Sequence, residues 1–253
     1  MPTFVPTLLP WQWLLGATCA FLVGVAKTGV PGFGILVVPL MVLAVGNARA
    51  SAGWLLPLLC AGDLFAVIHY RRHAEARRLF SLLPWVIVGM AAGTLVLRAP
   101  EPIVRRFVAA IILLMIAIYV TRRRQSLARP PEGWRTHVVF GGTAGFATMV
   151  ANAAGPVMNV YLLAKRLPKE EFVATGAWFF LVVNLSKVPV YAYQGLVSAR
   201  SLAFDLLTLP LLVAGALSGR RIVRDIPQRV FEFTVLALTV ASALLLLAPP
   251  PRP

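Results

Sequence analysis

Asp63 stands deep inside an apolar stretch, and Lys27 and Lys187 lie within or at the edge of two others. Were these stretches in a membrane, an unpaired carboxylate there would cost about 2.5–3.5 kcal/mol on insertion scales. Asp63 is therefore expected to face the protein interior, either paired or carrying a coupling proton. Lys187, 124 residues on, is its register equivalent and the partner expected from the sequence. The alternative is that Lys187 snorkels to the outer end of its segment. Asn184 and Ser186 add neutral polar atoms to that segment.

Lys27 belongs to the most unusual stretch of the chain, Gly24-Val25-Ala26-Lys27-Thr28-Gly29-Val30-Pro31-Gly32-Phe33-Gly34. Its glycines allow close backbone approach, and Pro31 removes a donor and prevents a continuous helix. Amides freed at the start of the next segment present a positive end, which attracts anions. Lys27, Thr28, Gly29, Pro31, Gly32 and Gly34 are thus candidate anion-binding positions. On the plainer reading, Lys27 only ends the first segment and snorkels to water. With Lys27, Lys187 and Asp63 all ionised the cluster carries +1, which suits a monoanion.

The same pattern returns 125 residues later. Pro156 answers Pro31, and Asn152 answers Lys27, in the run from Asn152 to Asn159. Asn152, Gly155, Pro156 and Asn159 are candidate binding positions there, although an asparagine can equally bind helix to helix. Trp54 is echoed by Trp178. Pro84, Gly89 and Gly93 are echoed by Pro210, Gly215 and Gly219. The chain reads as one unit written twice, residues 1–125 and 126–253, within one integral membrane domain.

No HExxH, GxSxG or phosphate-loop pattern occurs, so no catalytic residues, enzyme activity or cofactor are expected. Cys19 and Cys60 lie in apolar runs without metal or disulfide spacing. His69 and His73 share a helical face but lack a visible third ligand, so no metal is expected.

The surrounding elements follow from composition. Hydrophobic residues make up 59% of the 253, charged residues 13%, and mean hydropathy is +0.81. This describes a polytopic helical membrane protein, with the lipid bilayer as its partner. The net charge of +15 lies in short clusters between apolar runs, so nucleic acid is not expected as a partner.

Apolar runs predict ten segments: 8–26, 33–45, 50–70, 81–97 and 103–120, then 137–151, 156–164, 172–193, 203–219 and 230–247. The second member of each half is too short to cross a core of about 30 Å. The predicted fold is all-α, with two inverted repeats, each a broken or re-entrant helix pair plus three spanning helices. The loops 71–78, 121–135, 165–169 and 220–229 hold sixteen of the 24 Lys and Arg residues if each broken pair makes no net crossing. A single crossing per pair would erase that bias. Positive-inside asymmetry therefore puts these loops in the cytoplasm and both termini outside.

The run from Gly24 to Pro39, with Lys27-Thr28-Gly29, Pro31-Gly32, Gly34 and Val38-Pro39-Leu40, resembles the opening signature of the TauE/SafE sulfite exporter family. With the duplication and Gly155-Pro156, the resemblance spans essentially the whole chain. Many members have a denser glycine run where this chain has Lys27 to Pro31. The resemblance implies a multi-pass permease of the bacterial inner membrane for sulfite, a sulfonate or another small sulfur-containing anion. The alternatives are an anion channel and a non-transporting membrane scaffold. Homo-oligomerisation is left open.

Overall fold

The computed structural model describes residues 6, 8–71, 76–96, 101–124, 133–151 and 154–247. Asn152, His73 and the proline-rich tail lie outside the described residues. Among the described residues ten α-helices run in order: α1 (Pro10–Thr28), α2 (Gly34–Val45), α3 (Ala48–Tyr70), α4 (Ala76–Val96) and α5 (Glu101–Arg124), then α6 (Trp134–Ala151), α7 (Ala154–Ala164), α8 (Lys169–Tyr193), α9 (Ala199–Asp225) and α10 (Gln228–Leu247). No strand occurs among the described residues. The ten match the ten apolar runs, and several reach further. Thus α5 continues to Arg124 and α9 to Asp225, because arginine is a good helix former and backbone pairing needs no apolar side chain.

The protein is an all-α polytopic membrane protein. Helices over Ala50–Tyr70, Lys169–Tyr193, Ala199–Asp225 and Gln228–Leu245 are long and apolar enough to cross a bilayer. Large apolar side chains such as Phe80, Leu95, Leu206 and Phe233 are exposed, an arrangement suited to lipid rather than water.

The helices group into two compact units, each assembled from distant stretches of chain. One comprises Met1–Ala74, Ala177–Pro227 and Pro251–Pro253; the other comprises Glu75–Gly176 and Gln228–Pro250.

In the first unit, α1 and α2 form an antiparallel hairpin. The Gly29 N–H closes α1 on the Val25 carbonyl at 2.8 Å. Gly32 then turns the chain with φ of 130°, a conformation that side chains disfavour. After the turn α2 runs back along α1: Gly34 lies beside Ala26, and the Cys19 thiol donates to the Val37 carbonyl at 3.6 Å. With 12 residues α2 is about 18 Å long, well short of a bilayer core. Helix α9 packs on α1 through glycines. A Cβ at Gly24 would strike the Leu212 carbonyl, and one at Gly215 the Phe21 carbonyl. Ala66 and Val67 of α3 pack with Ala177 and Leu181 of α8, which sets the rotation of both helices.

In the second unit, α4 and α6 make a similar close contact. A Cβ at Gly89 would strike the Gly142 carbonyl, and one at Gly145 the Val86 carbonyl. Small residues at a helix interface let backbones approach where no hydrophobic force drives association. Phe172 and Phe231 meet edge to face at 5.3 Å.

Candidate intramembrane anion site

Lys27 occupies the last turn of α1, where a cation complements the negative end of the helix. Its stem lies along Gly62 of α3: a Cβ there would come within 3.0 Å of the Lys27 Cγ. The ammonium reaches Asp63 Oδ1 at 2.7 Å and sits 4.6 Å from the centre of the Phe180 ring. Asp63 is completely buried, whereas the Lys27 side chain keeps 12% exposure. From α8, Asn184 Nδ2 donates to the other carboxylate oxygen at 2.8 Å. Both oxygens of Asp63 are thus engaged, as a buried carboxylate requires.

Lys187, also buried, follows Asn184 by one helical turn and lies close enough to interact electrostatically with Lys27 and Asp63. Phe180, Asn184 and Lys187 recur at four and three residues, so they share one face of α8, the face that meets Asp63 through Asn184.

An ammonium offers three donors. Among the described residues Lys27 meets one carboxylate oxygen and one aromatic face. It therefore has capacity for a further acceptor in a cluster with a formal charge of +1.

The other expected positions fall as follows. Thr28 is wholly buried, and its hydroxyl is within 2.6 Å of the Ala216 carbonyl and 3.0 Å of the Gly24 carbonyl, while Tyr70 donates to the Thr28 carbonyl at 3.0 Å. Thr28 thus ties the end of α1 to α9 and α3. Gly29, Pro31, Gly32 and Gly34 build the hairpin turn that follows Lys27. Ser186 is exposed and donates to the Val183 carbonyl of its own helix at 2.7 Å.

Gly155, Pro156 and Asn159 belong to α7 in the second unit, with Gly155 and Pro156 in its first turn. Asn159 is buried and donates to Thr239 of α10 at 3.1 Å. Phe180 and Gly62 were not anticipated from the sequence: an aromatic or a glycine in an apolar run carries no mark of what it touches.

The profile of the family described as "Sulfite exporter TauE/SafE" matches residues 16–246. The chain belongs to the TauE/SafE family. The match takes in all the residues of the Lys27–Asp63–Asn184 cluster. A similar curated protein is the "Probable inner membrane transporter protein TsaS" of Comamonas testosteroni. It is 27% identical over 207 residues, covering 80% of this chain and 85% of that protein. No solved structure matches. Both the family description and the relative's name point to membrane transport rather than an enzyme.

Proposed function

We propose that this TauE/SafE protein is a secondary transporter of the bacterial inner membrane. Its substrate is a small anion, sulfite or an organosulfonate, moved by alternating access. The reading is carried by one observation: the Lys27 ammonium, half-buried at a helix break, shares itself between Asp63 and the Phe180 ring with donors to spare.

An incoming anion competes with Asp63 for Lys27. Asn184 retains its hydrogen bond to Asp63 as the ion pair loosens, and Lys187 keeps the local field positive. The α2 N-terminus, starting at Gly34 beside Ala26, adds a second positive pole one residue from Lys27 along α1. A substrate-binding role for Asn152, Gly155, Pro156 and Asn159 rests on the sequence repeat.

Inverted repeats are part of the proposal. The contact of α1 with α9 joins the first segment of one half to the fourth of the other. The contact of α6 with α4 joins the same two segments with the halves exchanged, and the echoed glycines Gly89 and Gly215 lie in these two contacts. That reciprocity supports two inverted repeats of the kind that underlie alternating access. Cytoplasmic loops at 71–78, 121–135, 165–169 and 220–229 and outward termini complete the proposed orientation.

The test is flux in proteoliposomes. Wild-type protein should take up sulfite or a sulfonate saturably and exchange it for internal substrate, and Lys27→Met should reduce both by about tenfold or more. Normal flux in Lys27→Met sinks the site. Non-saturating flux without exchange indicates a channel.

A further inference from the structure

We infer that Asp205 of α9 is a proton-binding site within the membrane-spanning part of the protein, separate from the Lys27–Asp63 pair. Its role in transport rests on the carrier reading above; its occupancy by a proton does not.

Asp205 is only 7% exposed, and neither carboxylate oxygen has a hydrogen-bond partner among the described residues. Asp63, in the same unit, has partners on both oxygens, so the contrast is between two buried acids in one fold. The neighbouring hydroxyls are committed elsewhere. Thr208 donates to the Phe204 carbonyl at 3.0 Å, and Ser201 is tied into the helix cap with Ser198. Phe204, the preceding residue, packs between Trp13 and Trp54 at 5.2 Å from each ring.

The elements packed on α9 in this unit are α1 and α3. Before Lys27, α1 carries no charged residue; its one titratable group, Cys19, is bonded to Val37. On α3 the charged or titratable residues are Arg49 in the first turn, Cys60, Asp63, His69 and Tyr70; the side chain of Arg49 lies outside the described residues, Asp63 is taken by Lys27, and Tyr70 donates to the Thr28 carbonyl. On α9 itself Arg200 is exposed, and Arg220, Arg221 and Arg224 lie at the far end. Ala216, whose carbonyl meets Thr28 beside Lys27, is about 16 Å from Asp205 along the helix axis. Asp205 therefore sits at a different depth from the anion site.

A bare carboxylate at such a place costs several kcal/mol. A metal cation would need several oxygen ligands converging on it. A proton needs only one carboxylate oxygen. The exchange is balanced: the carboxylate takes a proton from water on one side of the membrane and returns it to water. Position 79, the counterpart of Asp205 in the first half, is a leucine, so the acid has no repeat-related twin.

Infrared spectra of the purified full-length protein test occupancy directly. The wild type should show the carbonyl stretch of a protonated carboxyl that Asp205→Asn lacks. Spectra without that difference, or a carboxylate band that responds to sodium instead, overturn the inference. Asp205→Leu sacrifices no hydrogen bond and should keep or raise the melting temperature; a marked fall overturns the reading of an unpartnered acid.

In proteoliposomes, a pH gradient should drive sulfite flux in the wild type about tenfold or more faster than in Asp205→Asn, with anion exchange preserved in the variant. Equal gradient-driven flux in both overturns the coupling role. If the wild type moves no anion at all, the transporter reading fails, and the infrared result still decides the proton site.

Discussion

Lys27 and Asp63 meet at 2.7 Å across two helices, and breaking a buried pair from one side costs more than removing it whole. Lys27→Met leaves the carboxylate with only Asn184 and should destabilise the protein by about 3–5 kcal/mol. The double variant Lys27→Met/Asp63→Asn should recover most of that stability in a detergent melting assay while remaining inactive in flux. Recovery of flux would remove Lys27 from the anion site. Gly62→Ala probes the same group more gently. Its new Cβ, 3.0 Å from the Lys27 stem, should shift the ammonium and raise the apparent KM with little change in melting temperature. An unchanged KM would mean that the stem can give way without moving its charge.

The helix contacts depend on glycine where backbone meets backbone. Gly215→Leu drives a side chain into the Phe21 carbonyl of α1, and Gly89→Leu does the same to Gly142 of α6. Overpacking of this kind costs about 1–3 kcal/mol or more. Both variants should lower the melting temperature, whereas substitution of the loosely surrounded Gly155 by alanine should not. Thr239→Val, which removes the acceptor of Asn159, should cost about 0.6–1.7 kcal/mol, the range for hydrogen bonds between membrane helices. A loss well above that range would mean that this contact holds more than one helix pair in place.

Orientation is a property of the whole molecule and follows from the charge distribution. In a background with Cys19 and Cys60 replaced by alanine, Arg200→Cys should label from outside intact cells with a membrane-impermeant thiol reagent. Arg221→Cys should label only after the cells are opened. The reverse pattern inverts the protein, and labelling of both from outside breaks the proposed segment count. The class of the protein was legible because the bilayer demands long apolar runs. Ten runs became ten helices, and the broken first pair was legible from Pro31 and the glycines around it. The site was legible only in part: Asp63 needed a partner, yet register pointed to Lys187, and the rotation of α1 against α3 also brought in Lys27.

The sequence alone determined that this chain is a membrane-embedded helical protein with a repeated Gly/Pro break, and that a buried acid had to be accommodated, because these follow from the cost of exposing polar groups to lipid. Only the tertiary structure decided which cation and which amide engage that acid, and that Asp205 engages none among the described residues. Helix rotation and crossing determine which faces meet, and they arise from many small packing contacts that no single segment encodes.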